Sequence, residues 1–422
     1  MARKDSVFLI IILIVTLTIV LNKSSFIVLL FLLISRIIAT NRITAGVFLL
    51  LFGGPLGGIV RYEYPALPIY GVIVMSIGAM LLFPQILKYF KTNTLALVFI
   101  VLLWIVFVIA YVNSSMAPEN FVKLISIILN SVLFYIAYAT IFNEKNVDNN
   151  AICQSLLLYS LLTISFVQSH YDIIASDSMF SWFRLTLTYS NNEYFDISYQ
   201  QVGMNVLFAS AFILSKKNFK EFHLYNILLL ALSVYVLLIS GARQALAGFA
   251  FIVLFRYIFN SRKKRARVII ASLFSLIVLL LFVNANETNT SELSTIYSSS
   301  LGERQLLFQD SFSILKEYPL FGIGLGDFSK YSFGLYPHNI FLEILCEMGF
   351  CGLILLTFLV CVYLSRQGFT FNIETSSGNL YCIIVLCALS RYLFSADLTE
   401  SVAFFSACFA VTPILNKTKM SI

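Results

Sequence analysis

Blocks of roughly 15–25 apolar residues recur along nearly the whole chain, each long enough, or nearly so, to cross ~30 Å of hydrocarbon as a helix. A bilayer core offers backbone groups no water, so such blocks must close their hydrogen bonds internally as helices. The chain is 59% hydrophobic and 12% charged over 422 residues, a balance that excludes a large soluble domain. The expected fold class is an all-α polytopic membrane protein with about 12–14 transmembrane helices. A single integral-membrane domain is expected over 1–422.

Lys and Arg cluster at Arg3-Lys4, Lys88 with Lys91, Lys216-Lys217 with Lys220, Arg262-Lys-Lys-Arg265 with Arg267, and Lys417 with Lys419. Excess Lys and Arg marks cytoplasmic connections. Fourteen spans fit that rule without conflict, at about 6–22, 25–39, 43–59, 69–87, 94–112, 121–142, 151–169, 201–215, 222–240, 243–260, 266–284, 339–364, 378–395 and 400–415. Both termini are then cytoplasmic. The spans at 25–39, 43–59 and 201–215 are short, which leaves twelve as the alternative count. The net charge of +7 is mostly this topology signal and does not indicate nucleic-acid binding. The seven cysteines all fall inside expected spans and read as small buried hydrophobes.

Two long connections, at about 170–200 and 285–337, fall on the non-cytoplasmic side. The first is rich in aromatics, including Trp182, with Arg184 among them. Aromatic faces suit sugar rings, and they equally suit an interfacial belt. In the second, Ser300-Leu-Gly-Glu303 resembles a capping box, and the apolar spacing after it predicts an amphipathic helix over about 302–317. Gly322-Ile-Gly-Leu-Gly326 follows as a turn. No strand precedes it, so it is not a nucleotide loop.

The candidate chemistry lies at helix starts. Arg243, in Ser240-Gly-Ala-Arg243-Gln244, opens one span. Arg304, in Leu301-Gly-Glu-Arg304-Gln305, opens the loop helix. His338, one of three histidines, precedes the span at 339–364. A helix N-terminus favours an anion, and the arginine fork matches phosphate oxygens bidentately. A diphosphate best explains the three together. Taken singly, each has a plainer reading: an interface anchor for Arg243, a solvated helix-start residue for Arg304, a cap for His338. Lys123, about one turn inside its span, needs a partner or a watery cavity. Glu343 lies one to two turns below His338 and could orient it, or simply form an ion pair.

The string His338-Asn339, nine residues, Gly349-x-x-Gly352 resembles a motif of the O-antigen polymerase and ligase superfamily. The stretches around Arg243 and Arg304 look like that superfamily's two arginine motifs, in the same order. The resemblance implies a bacterial inner-membrane glycosyltransferase that takes glycans from undecaprenyl diphosphate at the periplasmic face. No cofactor or metal is implied. Arg243, Arg304 and His338 would be the catalytic residues. The arginines would hold the diphosphate, and His338 would act as base on the acceptor hydroxyl or contact the diphosphate. Nearby arginines would disfavour its protonated form. Asn339, Arg184, Lys123, Glu343 and Trp182 are candidate substrate-binding residues. The implied partners are the lipid-linked oligosaccharide donor and acceptor, membrane lipids and a chain-length regulator, with no nucleic acid.

A ligase must accept a phosphate-bearing lipid A core. The segment 285–337 carries six acidic residues (Glu287, Glu292, Glu303, Asp310, Glu317, Asp327) against three basic ones (Arg304, Lys316, Lys330), a poor dock for an anionic acceptor. That favours a polymerase, with the ligase as alternative. A flippase of lipid-linked oligosaccharides is a second alternative. It would spread charges through a central cavity, whereas here they collect at one face.

Overall fold

The computed structural model describes residues 26–63, 70–170, 199–215, 224–260, 291–367, 376–393 and 397–410. Among them it is all-α, with no strand. The chain is an all-α, multi-pass membrane protein. Four described helices are long and apolar enough to cross a bilayer, and a fifth span is formed if one bent pair is counted. The expected spans at 6–22 and 266–284 lie outside the described residues.

The chain divides into two compact units. The first comprises Met1–Gln85, Glu144–Arg265 and Asn372–Cys387. It contains α1 (Phe26–Ala39), α2 (Arg42–Glu63), α3 (Tyr70–Leu81), α7 (Asn149–His170), α8 (Tyr199–Leu214), α9 (Leu224–Ser240) and α10 (Arg243–Asn260), with most of α13 (Ser376–Tyr392). Its centre is α7, against which α1, α2, α8 and α9 pack. Small and hydroxylated residues let the helices approach. Ser160 and Thr163 on α7 return their hydroxyls to backbone carbonyls of Leu156 and Tyr159, which hides their polarity in the apolar interior.

The second unit comprises Ile86–Asn143, Ala266–Phe371 and Ala388–Ile422. It contains α5 (Thr94–Val112), α6 (Pro118–Asn143), α11 (Ser291–Glu317), α12 (Ile340–Arg366) and α14 (Leu398–Phe409). The helix starts follow from local chemistry. Pro118 occupies the first helical position, where its missing N–H costs nothing, and Glu119 follows in the first turn. Asp397 caps α14 by accepting from Glu400 N. α5 is apolar throughout, and α12 and α14 both pack against it. Tyr363, Phe99 and Phe409 form a mutual aromatic contact at one end of this bundle. The Tyr363 hydroxyl donates to Phe409 O at 2.6 Å, so its polar end is satisfied inside the apolar cluster.

Three expectations change. The span expected at 69–87 is broken at Leu82 into α3 and α4 (Phe83–Thr92), which meet at a 66° bend. The loop helix is longer than 302–317. Ser300 and Glu303 lie within α11, because a single interior Gly302 costs only ~1 kcal/mol, too little to begin a new helix. Two cysteines, Cys351 and Cys361, are exposed on α12 instead of buried, because they fall on the outward side of a helix whose other side faces α5.

Candidate functional site

His338 and Asn339 stand where the 331–339 connection becomes α12. Asn339 is the N-cap. Its Oδ1 accepts from Phe341 N at 3.0 Å and Leu342 N at 3.1 Å, and its Nδ2 donates to Leu393 O at 2.9 Å. Both ends of the amide therefore hold the helix start in place. His338 is not the cap. It sits one residue before it, in the left-handed region with φ 55°, half-buried, its ring edge-on to Tyr336 at 4.5 Å. Left-handed backbone is uncommon for a residue with a Cβ and costs on the order of 1 kcal/mol or more. The Tyr336 ring on one side and the capping bonds of Asn339 on the other bracket it.

Within the first turns of α12 lies an ionic cluster. Lys123 Nζ, on the second turn of α6, donates to Glu343 Oε1 and to Glu347 Oε1, each at 2.7 Å. Both glutamates are fully buried. Glu343 Oε1 also accepts from Leu398 N at 3.1 Å, so the same carboxylate touches the start of α14. Lys123 thus finds the partner its position demanded, and Glu343 forms an ion pair with it. Glu347 was missed from sequence, although its spacing of four from Glu343 places the two on one face of an otherwise apolar helix.

A second set of contacts fixes the middle of α12. Gly349 departs from helix geometry, at φ 64° and ψ −169°, and breaks the ladder. The groups left over are taken up by the segment after α11. Ile323 N donates to Cys346 O at 2.9 Å and Gly324 N to Glu347 O at 3.0 Å. In return Phe350 N donates to Pro319 O at 2.9 Å and Cys351 N to Leu320 O at 3.1 Å. A Cβ on Gly349 would lie 2.3 Å from Leu320 O, so only glycine permits this approach. The glycine string therefore acts as a strap across a broken helix.

The strap is tied at its far end by Asp327. This carboxylate accepts from Ser115 N at 2.7 Å, Ser115 Oγ at 2.7 Å and Asn120 Nδ2 at 2.8 Å, and pairs with Lys330 at 2.9 Å. Burial alone would raise its pKa. The donors from Ser115, Asn120 and Lys330 outweigh that and hold it below the ordinary carboxylate value. Leu325 N donates to Ala110 O, which satisfies a carbonyl near the end of α5. Sequence reasoning missed Asp327 because all its partners except Lys330 lie about 200 residues away in the chain.

Arg304 is half-buried on α11. It lies inside this 27-residue helix and not at its start, so no helix N-terminus assists it there. Its helix presses Leu307 and Ile314 into a small core with Ile323, Phe328 and Cys346. Arg243 belongs to the first unit. It is the first residue of α10, as its sequence context indicates. Gly241 turns the chain at φ 65°, and Ala245 N and Leu246 N both bond Ala242 O. A Cβ on Gly203 of α8 would lie 2.3 Å from Ala242 Cβ, so the two elements touch immediately before Arg243. Arg184 and Trp182 lie outside the described residues. No group of three or more His, Cys, Asp or Glu suited to a metal occurs among the described residues.

No curated protein matches the chain. Residues 228–357, which contain Arg243, Arg304, His338 and the Gly349 break, match the family model described as O-antigen ligase, and over that segment the chain is similar to the superfamily of O-antigen ligases and polymerases.

Proposed function

We propose that the chain is a membrane glycosyltransferase that polymerises surface polysaccharide, joining undecaprenyl-diphosphate-linked repeat units at the periplasmic face of the bacterial inner membrane. The observation that carries this reading is His338. It is held in left-handed backbone at the mouth of α12, inside the segment similar to O-antigen ligases. Strained backbone that its surroundings over-determine is a mark of functional sites.

In the proposed reaction an acceptor hydroxyl attacks the anomeric carbon of the donor glycan. The bond from that carbon to the diphosphate oxygen breaks, and undecaprenyl diphosphate leaves with the electron pair. His338 takes the hydroxyl proton as general base. Arg243 and Arg304 bind the diphosphate and offset the charge that grows on it. Asn339, Lys123 and Glu343 keep the His338 turn in register. Arg184 and Trp182 are proposed to contact the glycan. Both termini are proposed to be cytoplasmic, with 170–200 and 285–337 periplasmic, and a chain-length regulator is a proposed partner.

The acidic excess over 285–337 favours a repeat unit over a phosphorylated lipid A core as acceptor. The ligase is the second reading, supported by the description of the matching family. A gel of lipopolysaccharide from a deletion strain separates them. Loss of a polymerase leaves core capped by one repeat unit. Loss of a ligase leaves bare core, with polymer retained on the lipid carrier.

A further inference from the structure

We infer that the corner Pro319–Phe321 is a membrane-inserted wedge that anchors the end of α11 in lipid. The corner is fixed to α12 at its break, through Phe350 N to Pro319 O and Cys351 N to Leu320 O. Its two large side chains do not turn inward. Leu320 is 58% and Phe321 65% exposed, while the next residues, Gly322 to Leu325, are buried. Immediately beside the corner, α12 turns Phe350 and Ile354 outward, the latter 67% exposed. α12 is long and apolar enough to span a bilayer, so its outward stripe faces hydrocarbon. The backbone bonds from Phe350 and Cys351 set Leu320 and Phe321 beside that stripe, on a segment that is not a transmembrane helix.

Backbone at membrane depth must have its polar groups satisfied by protein. The corner's carbonyls meet that condition, since Pro319 O and Leu320 O accept from α12 and Phe321 O accepts from Asn113 Nδ2 at 3.4 Å. Flanking it in sequence are residues of the kinds that suit a headgroup level: Tyr318 edge-on to Tyr331 at 5.8 Å, with Lys316 and Lys330 exposed. The occupant is therefore the boundary between headgroups and acyl chains.

The test uses full-length protein in vesicles of phosphatidylcholine, some of it brominated near the headgroup end of the acyl chains. Phe321→Trp and, separately, Leu320→Trp add a fluorophore at the corner, and Ser329→Trp adds one on the neighbouring turn. Emission is read as the increment over wild type, which contains Trp104 and Trp182. Brominated lipid is expected to quench the corner signal by about half or more, with the Ser329→Trp signal quenched instead by aqueous acrylamide. Corner emission quenched by acrylamide and indifferent to bromine would overturn the wedge and place the corner in water. Emission reached by neither quencher would also overturn it, and would mean that protein covers the corner, from a second copy or from this chain.

Discussion

Lys123 Nζ stands 2.7 Å from Glu343 Oε1 and joins the second turn of α6 to the first turn of the helix that follows His338. Glu347 Oε1 completes the clamp at the same distance. Removing the cation leaves two buried carboxylates facing each other. Breaking such a pair from one side costs about 3–5 kcal/mol. Lys123→Ala is therefore expected to lower the thermal unfolding midpoint in detergent sharply. Replacing the whole set by Lys123→Met with Glu343→Gln and Glu347→Gln should recover much of the loss. Equal instability of the single and triple variants would show that the ionic balance is not what matters.

Gly349 tests the strap. Gly349→Ala would place a methyl 2.3 Å from Leu320 O at a φ of 64°. With ψ at −169° this is backbone that essentially only glycine adopts, which costs about 1–3 kcal/mol for a residue with a Cβ before the clash is counted. Loss of polymer is expected, with faster proteolysis between α11 and α12. Cys351→Ala, two residues on and exposed, should behave as wild type. A fully active Gly349→Ala protein would contradict the strapped geometry.

Asp327 gives a pH dependence. Its folded pKa is held below the usual value by Ser115, Asn120 and Lys330. A depressed acid contributes stability that is fully present above the unfolded pKa and is lost as pH falls through the folded one. The unfolding midpoint of wild type should exceed that of Asp327→Asn by a constant margin above about pH 5, and the gap should close below about pH 4. A gap that widens on acidification would mean that the carboxylate is not held as described.

The arginines test donor binding. Arg243→Ala and Arg304→Ala are each expected to nearly abolish polymer while the protein still inserts and accumulates. Lysine should rescue either position poorly, since it is a point charge without the planar fork. Wild-type banding from both alanine variants would make them interface residues only.

The sequence read the straight, locally determined elements well. The apolar run of α5 was placed at 94–112, and α6 and α7 were set within three residues of their ends. The start of α10 at Arg243 followed from its turn. What escaped was set by distant partners or by small energies. The break at Gly349 exists because the 319–324 segment takes up the freed backbone groups, and no helical periodicity reports that. Glu347 could have been found from its charge in an apolar helix. Asp327 could not, because its surroundings are built from the α5–α6 connection. At Ser300 a correct local signature was overridden by a helix already under way.

In the proposed reaction His338 acts chemically and does not merely shape the start of α12. The structure sharpens the test, because Asn339 already supplies the cap. His338→Asn introduces a residue that tolerates left-handed backbone and can hydrogen-bond, but cannot take up a proton near neutral pH. The decisive measurement is the rate of polymer formation from purified lipid-linked repeat units by His338→Asn, with thermal stability measured alongside. Wild-type stability is expected, with a rate reduced by roughly 10²–10⁴-fold, the scale of a positioned acid–base group. A His338→Asn enzyme that makes wild-type chains at the wild-type rate would contradict that chemical role.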